Sequence, residues 1–372
     1  MISRVADHCF WFGRYLERAE STARLLQVTS TLALDSDLTQ LECWEPVIIT
    51  AGEEDRFLEL RGPGAAADGD VVQEYLTFND EVPVCLRRSI AAARDNARSV
   101  REVVSLEAWE SINELHLWIQ GPAARTAFEE HRYGFYRHVR RETQLCMGLL
   151  RGAMLHDAPL DFIWLGLLLE RIGQTARILD VHHHALMTAQ AAGLQARGRA
   201  AAQRQEQDRA GGQSQGQGVL TPLAEAHPVV EVAVWLSLLR ACYGFEPFMK
   251  SHRGAVTGEA VAAFLIFESR FPRAIRHCVR RAREAVAQVR PPVNGPPPLL
   301  ALARLKALED RLDAQARTPL DEAGVHELLT AVVDETQAAC DEVAVGLLAV
   351  APAAAPRAMP ASNSGGGESG TE

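Results

Sequence analysis

No Cys-x-x-Cys pair occurs in the 372 residues of this sequence, and its seven cysteines, Cys9, Cys43, Cys85, Cys146, Cys242, Cys278 and Cys340, are scattered and odd in number. That spacing excludes a disulfide framework and a thiolate zinc site, and it fits a reducing compartment. Long hydrophobic runs are missing too. The most apolar windows, 232–239 and 343–355, fall short of the about 20 helical residues that cross a bilayer, so no membrane span is expected. The start, Met1-Ile-Ser-Arg-Val-Ala-Asp7, enters a charged amphipathic stretch at once. A secretory leader would need a basic start and an unbroken apolar run, and a cytoplasmic location is therefore expected. Positive charge is in short supply: 38 Lys and Arg against 48 Asp and Glu leave a net charge of −10. Phosphate contacts need a concentrated basic surface, so a nucleic-acid partner is not expected. Only Lys250 and Lys306 are lysines. No Gly-x-x-x-x-Gly-Lys-Ser/Thr occurs and no Gly-x-Gly-x-x-Gly stands between a strand and a helix, so no device for ATP or a dinucleotide is legible and no cofactor is expected.

What is present is helical periodicity. Apolar residues recur at three- and four-residue spacing in nearly every long segment, with few alternating β-branched runs, which predicts an all-α bundle of about ten helices. Proline and glycine clusters at residues 61–64, 121–122 and 290–298 mark helix boundaries. Residues 188–218 shift to Gln, Arg, Gly and Ala and are expected to form a flexible insertion, helical at most at its start. The one Gly-x-Ser-x-Gly string, Gly212-Gln-Ser-Gln-Gly216, falls inside it, without the strand-to-helix turn of a nucleophile elbow. Residues 351–372 are small and polar and are expected to be disordered. His182, His183 and His184 follow Asp180 and read as the cationic end of a helix.

The strongest signal is an internal repeat. Residues 10–28 align without gaps on residues 163–181, and ten of nineteen positions are identical, among them Trp11/Trp164, Gly13/Gly166, Glu17/Glu170, Arg18/Arg171 and Arg24/Arg177. Ordinary composition would give roughly one or two. Further on, Phe78, Pro83, Arg87 and Arg94 pair at one offset with Phe267, Pro272, Arg276 and Arg283. Glu142-Thr-Gln144 recurs as Glu335-Thr-Gln337, and Glu45-Pro46 as Glu246-Pro247. The expected architecture is one domain over residues 1–350, built of two similar fused halves, about 1–157 and 158–350, closed face to face about a pseudo-twofold axis. Trp11 and Trp164 are expected at the join.

On the first repeat helix Phe12, Tyr15, Leu16, Ala19, Ala23 and Leu26 form an apolar face. Trp11, Arg14, Arg18 and Thr22 line one flank, and Gly13, Glu17, Glu20 and Arg24 the other. In the second copy Leu167 and Leu168 replace Arg14 and Tyr15, so that helix is apolar nearly all round and is expected at the centre. Its charges, Glu170, Arg171 and Arg177, then need partners, because an unpaired buried ion costs several kcal/mol. The seven-residue spacing from Glu170 to Arg177 does not suit pairing within a helix. Each carboxylate is expected to reach an arginine on a neighbouring helix.

Several long motifs together resemble the alpha-E domain family of bacterial proteins: Met1-Ile-Ser-Arg-Val-Ala-Asp7, Gly13-Arg-Tyr-Leu-Glu-Arg-Ala-Glu20, Ser89 to Val100, Leu168-Leu-Glu-Arg-Ile-Gly-Gln-Thr-Ala-Arg177 and Phe271-Pro-Arg-Ala-Ile-Arg-His277. The resemblance implies an all-helical fold and, as partners, a circularly permuted ATP-grasp protein and a transglutaminase-like peptidase, hence a role in ATP-dependent amide-bond formation. Carried onto this chain, the family's acidic and basic positions are Glu17, Arg18, Glu20 and Arg24 in the first copy and Glu170, Arg171 and Arg177 in the second. Gly173 stands where the repeat would place a counterpart of Glu20, which breaks any symmetric four-carboxylate site. Two readings of these residues stay open: ion pairs that fix the register of the bundle, or a polar cavity in which arginine forks bind a peptide carboxylate. The expected function is that of an accessory, substrate-handling protein for an amide ligase. The alternative is a stand-alone enzyme with Glu17 or Glu170 as a general base of raised pKa, working on a peptide or amine with or without a metal. No metal is expected, since neither repeat helix carries a Glu-x-x-His pair.

Overall fold

A computed structural model of the chain describes residues 3–209, 223–289, 299–318 and 322–348. Among these residues it holds fifteen α-helices and no strand: α1 (Ser3–Asp35), α2 (Gln40–Ala51), α3 (Glu54–Arg61), α4 (Gly69–Phe78), α5 (Leu86–Ser99), α6 (Leu106–Gln120), α7 (Pro122–Glu130), α8 (Arg132–Ala153), α9 (Ala158–Arg209), α10 (Leu223–Ala241), α11 (Phe245–Ser251), α12 (Gly258–Phe267), α13 (Ile275–Gln288), α14 (Leu299–Gln315) and α15 (Glu322–Val343). The expected ten was an undercount. α3, α7 and α11 have eight, nine and seven residues, too few turns for a helical period to show in the sequence. No helix among the described residues is long and apolar enough to cross a membrane.

Local chemistry sets several boundaries. Thr39 and Glu42 form a capping box at the start of α2, which stops at Gly52 in the left-handed region at φ 72°. Asp68, Ser105 and Thr257 cap α4, α6 and α12 through their side chains, and Pro122 opens α7. The expected stop at His182–His184 is absent: α9 runs on to Arg209. Alanine, glutamine and arginine are strong helix formers, so the backbone stays helical where the sequence no longer offers a packing face. The rest of the low-complexity segment, 210–218, and residues 351–372 lie outside the described residues.

α1 and α9 form the central pair and point the same way. Gly13 meets Ile163 and Leu167, and Gly166 meets Phe10 and Arg14. A Cβ on Gly13 would fall deep inside contact distance of the Ile163 carbonyl oxygen, and one on Gly166 would do the same at the Phe10 carbonyl. Glycine at both places lets the two backbones touch. α5 and α8 cover α1, while α13 and α15 cover α9; α6 packs on α5 and α8, and α14 on α13 and α15. On the apolar face of α1, Phe12, Leu16, Ala19, Ala23 and Leu26 are fully enclosed and Tyr15 is half-buried; Ile163, Leu165, Leu167, Leu169 and Ile172 of α9 are enclosed as well. Glu17, Glu20 and Arg24 do not flank a buried stripe. They are as deeply buried as the stripe itself, with 0%, 0% and 2% exposure, because α10 and the segment before α13 close over their side of α1.

Candidate functional site

Two acidic centres lie on the α1–α9 seam, each built from both helices. At the first, Glu170 of α9 is gripped by two arginines of α1. Arg18 donates from Nε to Oε1 at 2.7 Å and from Nη2 to Oε2 at 3.0 Å. Arg14 reaches Oε2 at 2.9 Å through Nε and at 2.7 Å through Nη2. At the second, Glu17 of α1 receives Arg171 of α9, Nε to Oε1 at 3.0 Å and Nη2 to Oε2 at 2.8 Å. Arg273, just before α13, adds Nη1 to Glu17 Oε1 at 2.7 Å and Nη2 to Glu20 Oε2 at 3.1 Å. The pairing is reciprocal. Each copy of the Glu-Arg dipeptide gives its carboxylate to the other copy's arginine, as expected for charges that must find partners on a neighbouring helix.

The second centre is the more elaborate. Arg24 donates to Glu20 Oε1 at 2.8 Å and to the Ala241 carbonyl at 2.5 Å. Tyr243, at φ 55° the one non-glycine residue in the left-handed region among the described residues, presents its ring to Arg24, Arg273 and Arg140 at 4.0, 4.9 and 5.1 Å. Arg140 of α8 donates to the Tyr243 hydroxyl at 3.0 Å and lies 4.0 Å from Glu20. Sequence reasoning missed Arg14, Arg140, Arg273 and Tyr243. Arg14 and Arg273 carried a signal, inside the Gly13–Glu20 and Phe271–His277 motifs; Arg140 and Tyr243 are placed by α8 and by the turn after α10.

The electrostatics follow from this packing. Burial alone pushes the Glu170 carboxyl up, but Arg18 and Arg14 outweigh it and hold the group at about 2. Burial likewise opposes, and Arg171 and Arg273 reverse, the shift at Glu17, also held at about 2. A general base needs a carboxyl raised toward neutrality with a free lone pair. Here both oxygens of each glutamate are already taken by guanidinium groups, so the raised-pKa expectation for Glu17 and Glu170 is corrected. For the same reason the seam repels a metal cation: each acid faces arginine and not another acid. No group of three His, Cys, Asp or Glu side chains suited to a metal converges among the described residues. All seven cysteines are buried, and burial drives Cys9 and Cys146 up to about 12; they pack and do not act as thiolates.

Beside the Glu170 centre opens a pocket of about 260 Å³. Arg14, Arg18, Arg177, Glu170, Gln174, Gln337, Thr22 and Thr50 supply its polar lining, and Leu25, Leu26, Val47, Leu76 and Val84 its apolar wall. Arg177 makes no hydrogen bond or ion pair among the described residues, unlike its repeat counterpart Arg24. The histidines lie elsewhere, at the far end of the α1–α9 pair: His182 binds the Ile178 carbonyl at 2.8 Å, and His326 meets Asp180 at 2.7 Å. Trp11 stacks on Tyr15 of its own helix at 5.5 Å, and Trp164 lies under Arg151 of α8 at 5.8 Å.

Fold and centres together define an all-helical protein whose interior is organised by arginine-locked glutamates. The chain belongs to the Alpha-E family, described as a predicted alpha-helical domain with a conserved ER motif, which it matches over residues 1–346. Its Glu-Arg dipeptides are Glu17-Arg18 and Glu170-Arg171, the residues that interlock on the seam. The chain is similar to an uncharacterized protein of Mycobacterium bovis, 23% identical over 295 residues, covering 75% of this chain and 29% of the relative. Two uncharacterized proteins of Mycobacterium tuberculosis match over the same length at 23% and 22% identity. The chain thus spans less than a third of the length of these curated relatives. No solved structure matches it.

Proposed function

We propose that this chain is the substrate-handling member of a cytoplasmic amide- or peptide-bond-forming system, in which a circularly permuted ATP-grasp protein supplies the ligation and a transglutaminase-like peptidase acts on the same material. The observation that carries this reading is the state of the glutamates. They are ionised and saturated by arginine, which suits a rigid frame, while a pocket with a spare guanidinium opens beside them, which suits binding. Glu17, Arg18, Glu170 and Arg171 serve as the lock between α1 and α9, Glu20 and Arg24 tie α1 to Arg273 and to the end of α10, and Arg177 serves the ligand.

The fold behind this reading is a duplication, residues 1–157 and 158–350 closing about a pseudo-twofold axis. The reciprocal Gly13 and Gly166 contacts and the crossed Glu-Arg pairs support it. So do two tryptophans: Trp44 donates to Gln40 four residues back and packs on Gly69, while Trp235 donates to Glu231 four residues back and packs on Gly258. On that correspondence α2 matches α10, whereas the Glu45-Pro46 and Glu246-Pro247 match would set α2 against α11.

Reconstitution with the ATP-grasp and peptidase proteins tests the function. ADP release and product mass are followed with and without this chain; a changed product or faster turnover is expected, and an identical profile would remove the accessory role.

A further inference from the structure

The two acidic centres are repeat counterparts, yet one is filled and the other is open, and two substitutions account for the difference. Glu20, which neutralises Arg24 in the first copy, is replaced by Gly173 in the second. Arg273, which enters the Glu17 centre, has Val84 as its counterpart at the offset that pairs Pro83 with Pro272. Removing a glutamate and an arginine from a packed seam leaves room, and that room is the pocket: Val84 is on its wall and Arg177 folds over Gly173, whose Cβ position is 3.2 Å from Arg177 Nη1.

The charge there is unbalanced. Arg14, Arg18 and Arg177 face Glu170, and no other carboxylate lines the pocket. Arg14 and Arg18 are both committed to Glu170. Arg177 is half-buried and makes no hydrogen bond or ion pair among the described residues; the one opposite charge it feels is that of Glu170, which Arg14 and Arg18 already engage, and this leaves its donors open to a ligand. A second, independent observation lies on α2: the Thr50 hydroxyl is buried, with 2% of the residue exposed, and has no hydrogen-bond partner, although it lines the same pocket. Buried hydroxyls are ordinarily satisfied. Arg14 and Arg18 keep 13% and 17% of their side chains exposed, so the pocket is reached from solvent.

We propose that this pocket is a recognition site for a carboxylate-bearing amino acid or peptide end with an apolar side chain, the ligand's carboxylate taking, against Arg177, the place that Glu20 takes against Arg24. Thr50 donates to the ligand's remaining polar oxygen, and Leu25, Leu26, Val47, Leu76 and Val84 receive the apolar group. The pocket lies below the ~300–1,000 Å³ of sites that enclose drug-sized ligands, so it holds one residue and not a stretch of peptide. This assignment rests on the substrate-handling reading above and names the chemical class of what is handled.

Calorimetric titration of the full chain alone with N-acetyl-L-leucine, N-acetyl-L-leucinamide and inorganic phosphate tests it. Saturable binding of the acid and not of the amide or phosphate is expected, weakened by at least about tenfold in Arg177→Gln. In Gly173→Glu the built-in carboxylate occupies the site, so binding is lost while the melting temperature rises. No binding of the acid, equal binding of the amide, preferential binding of phosphate, or wild-type affinity in either variant overturns the proposal. Because no partner protein is present, a negative result here removes the pocket's role alone, and the ADP-release assay judges the accessory role separately.

Discussion

Glu170 holds four charge-assisted contacts and Glu17 three, each set from two guanidinium groups in a water-poor seam, and this fixes how their substitution must act. Glu170→Gln strips the neutralising charge from Arg14, Arg18 and Arg177 together, and breaking a buried pair by removing one partner costs about 3–5 kcal/mol. Urea denaturation should show that loss, and the same for Glu17→Gln. The acid limb of stability follows from the same groups. In the folded chain these carboxyls protonate only near 2, whereas unfolded they protonate at the ordinary 4.5. Their contribution is therefore complete above pH 4.5 and is lost as pH falls toward 2. Urea midpoints measured across that window should fall steeply for the wild type and more shallowly for either glutamine variant. Much of this was legible in the sequence, since the matched Glu17, Glu170, Arg18 and Arg171 and the need for cross-helix partners can be read from spacing and burial. That Glu17, Glu20 and Arg24 are enclosed could not be read, because a helix's own periodicity says nothing of a second layer laid over its polar flank by α10 and Arg273.

At the scale of elements, the contact between α1 and α9 depends on two glycines meeting backbone carbonyls. Gly13→Ala must push the helices apart, which lengthens the crossed ion pairs one turn further along. Forced overpacking of this kind typically costs about 1–3 kcal/mol, and Gly166→Ala should cost a similar amount; thermal melts followed by circular dichroism would measure both. The repeat showed that these glycines correspond, and the structure supplies the reason. Helix count and extent were read less well. α3, α7 and α11 are too short for a period, and α9 continues past His184 on propensity alone, through a stretch whose composition carries no face.

For the whole molecule, the interior is a set of crossed restraints between segments 152 to 217 residues apart in sequence: Arg18 to Glu170, Arg171 to Glu17 and Arg24 to the Ala241 carbonyl. Such long-range pairs make the part of the chain before α9 and the part from α9 onward depend on each other for satisfied charge. All-α character, the family and the repeat helices were open to sequence reasoning. The pocket was not, because it arises from what the Glu170 centre lacks, Gly173 of the second half and Val84 of the first standing in place of larger polar side chains, and a lack has volume only once both halves are packed. The central claim is that the two Glu-Arg copies lock each other. A double-mutant cycle on Arg18→Ala and Glu170→Ala, read by urea denaturation, tests it most directly: a coupling of at least about 1 kcal/mol is predicted, and two losses that simply add would contradict it.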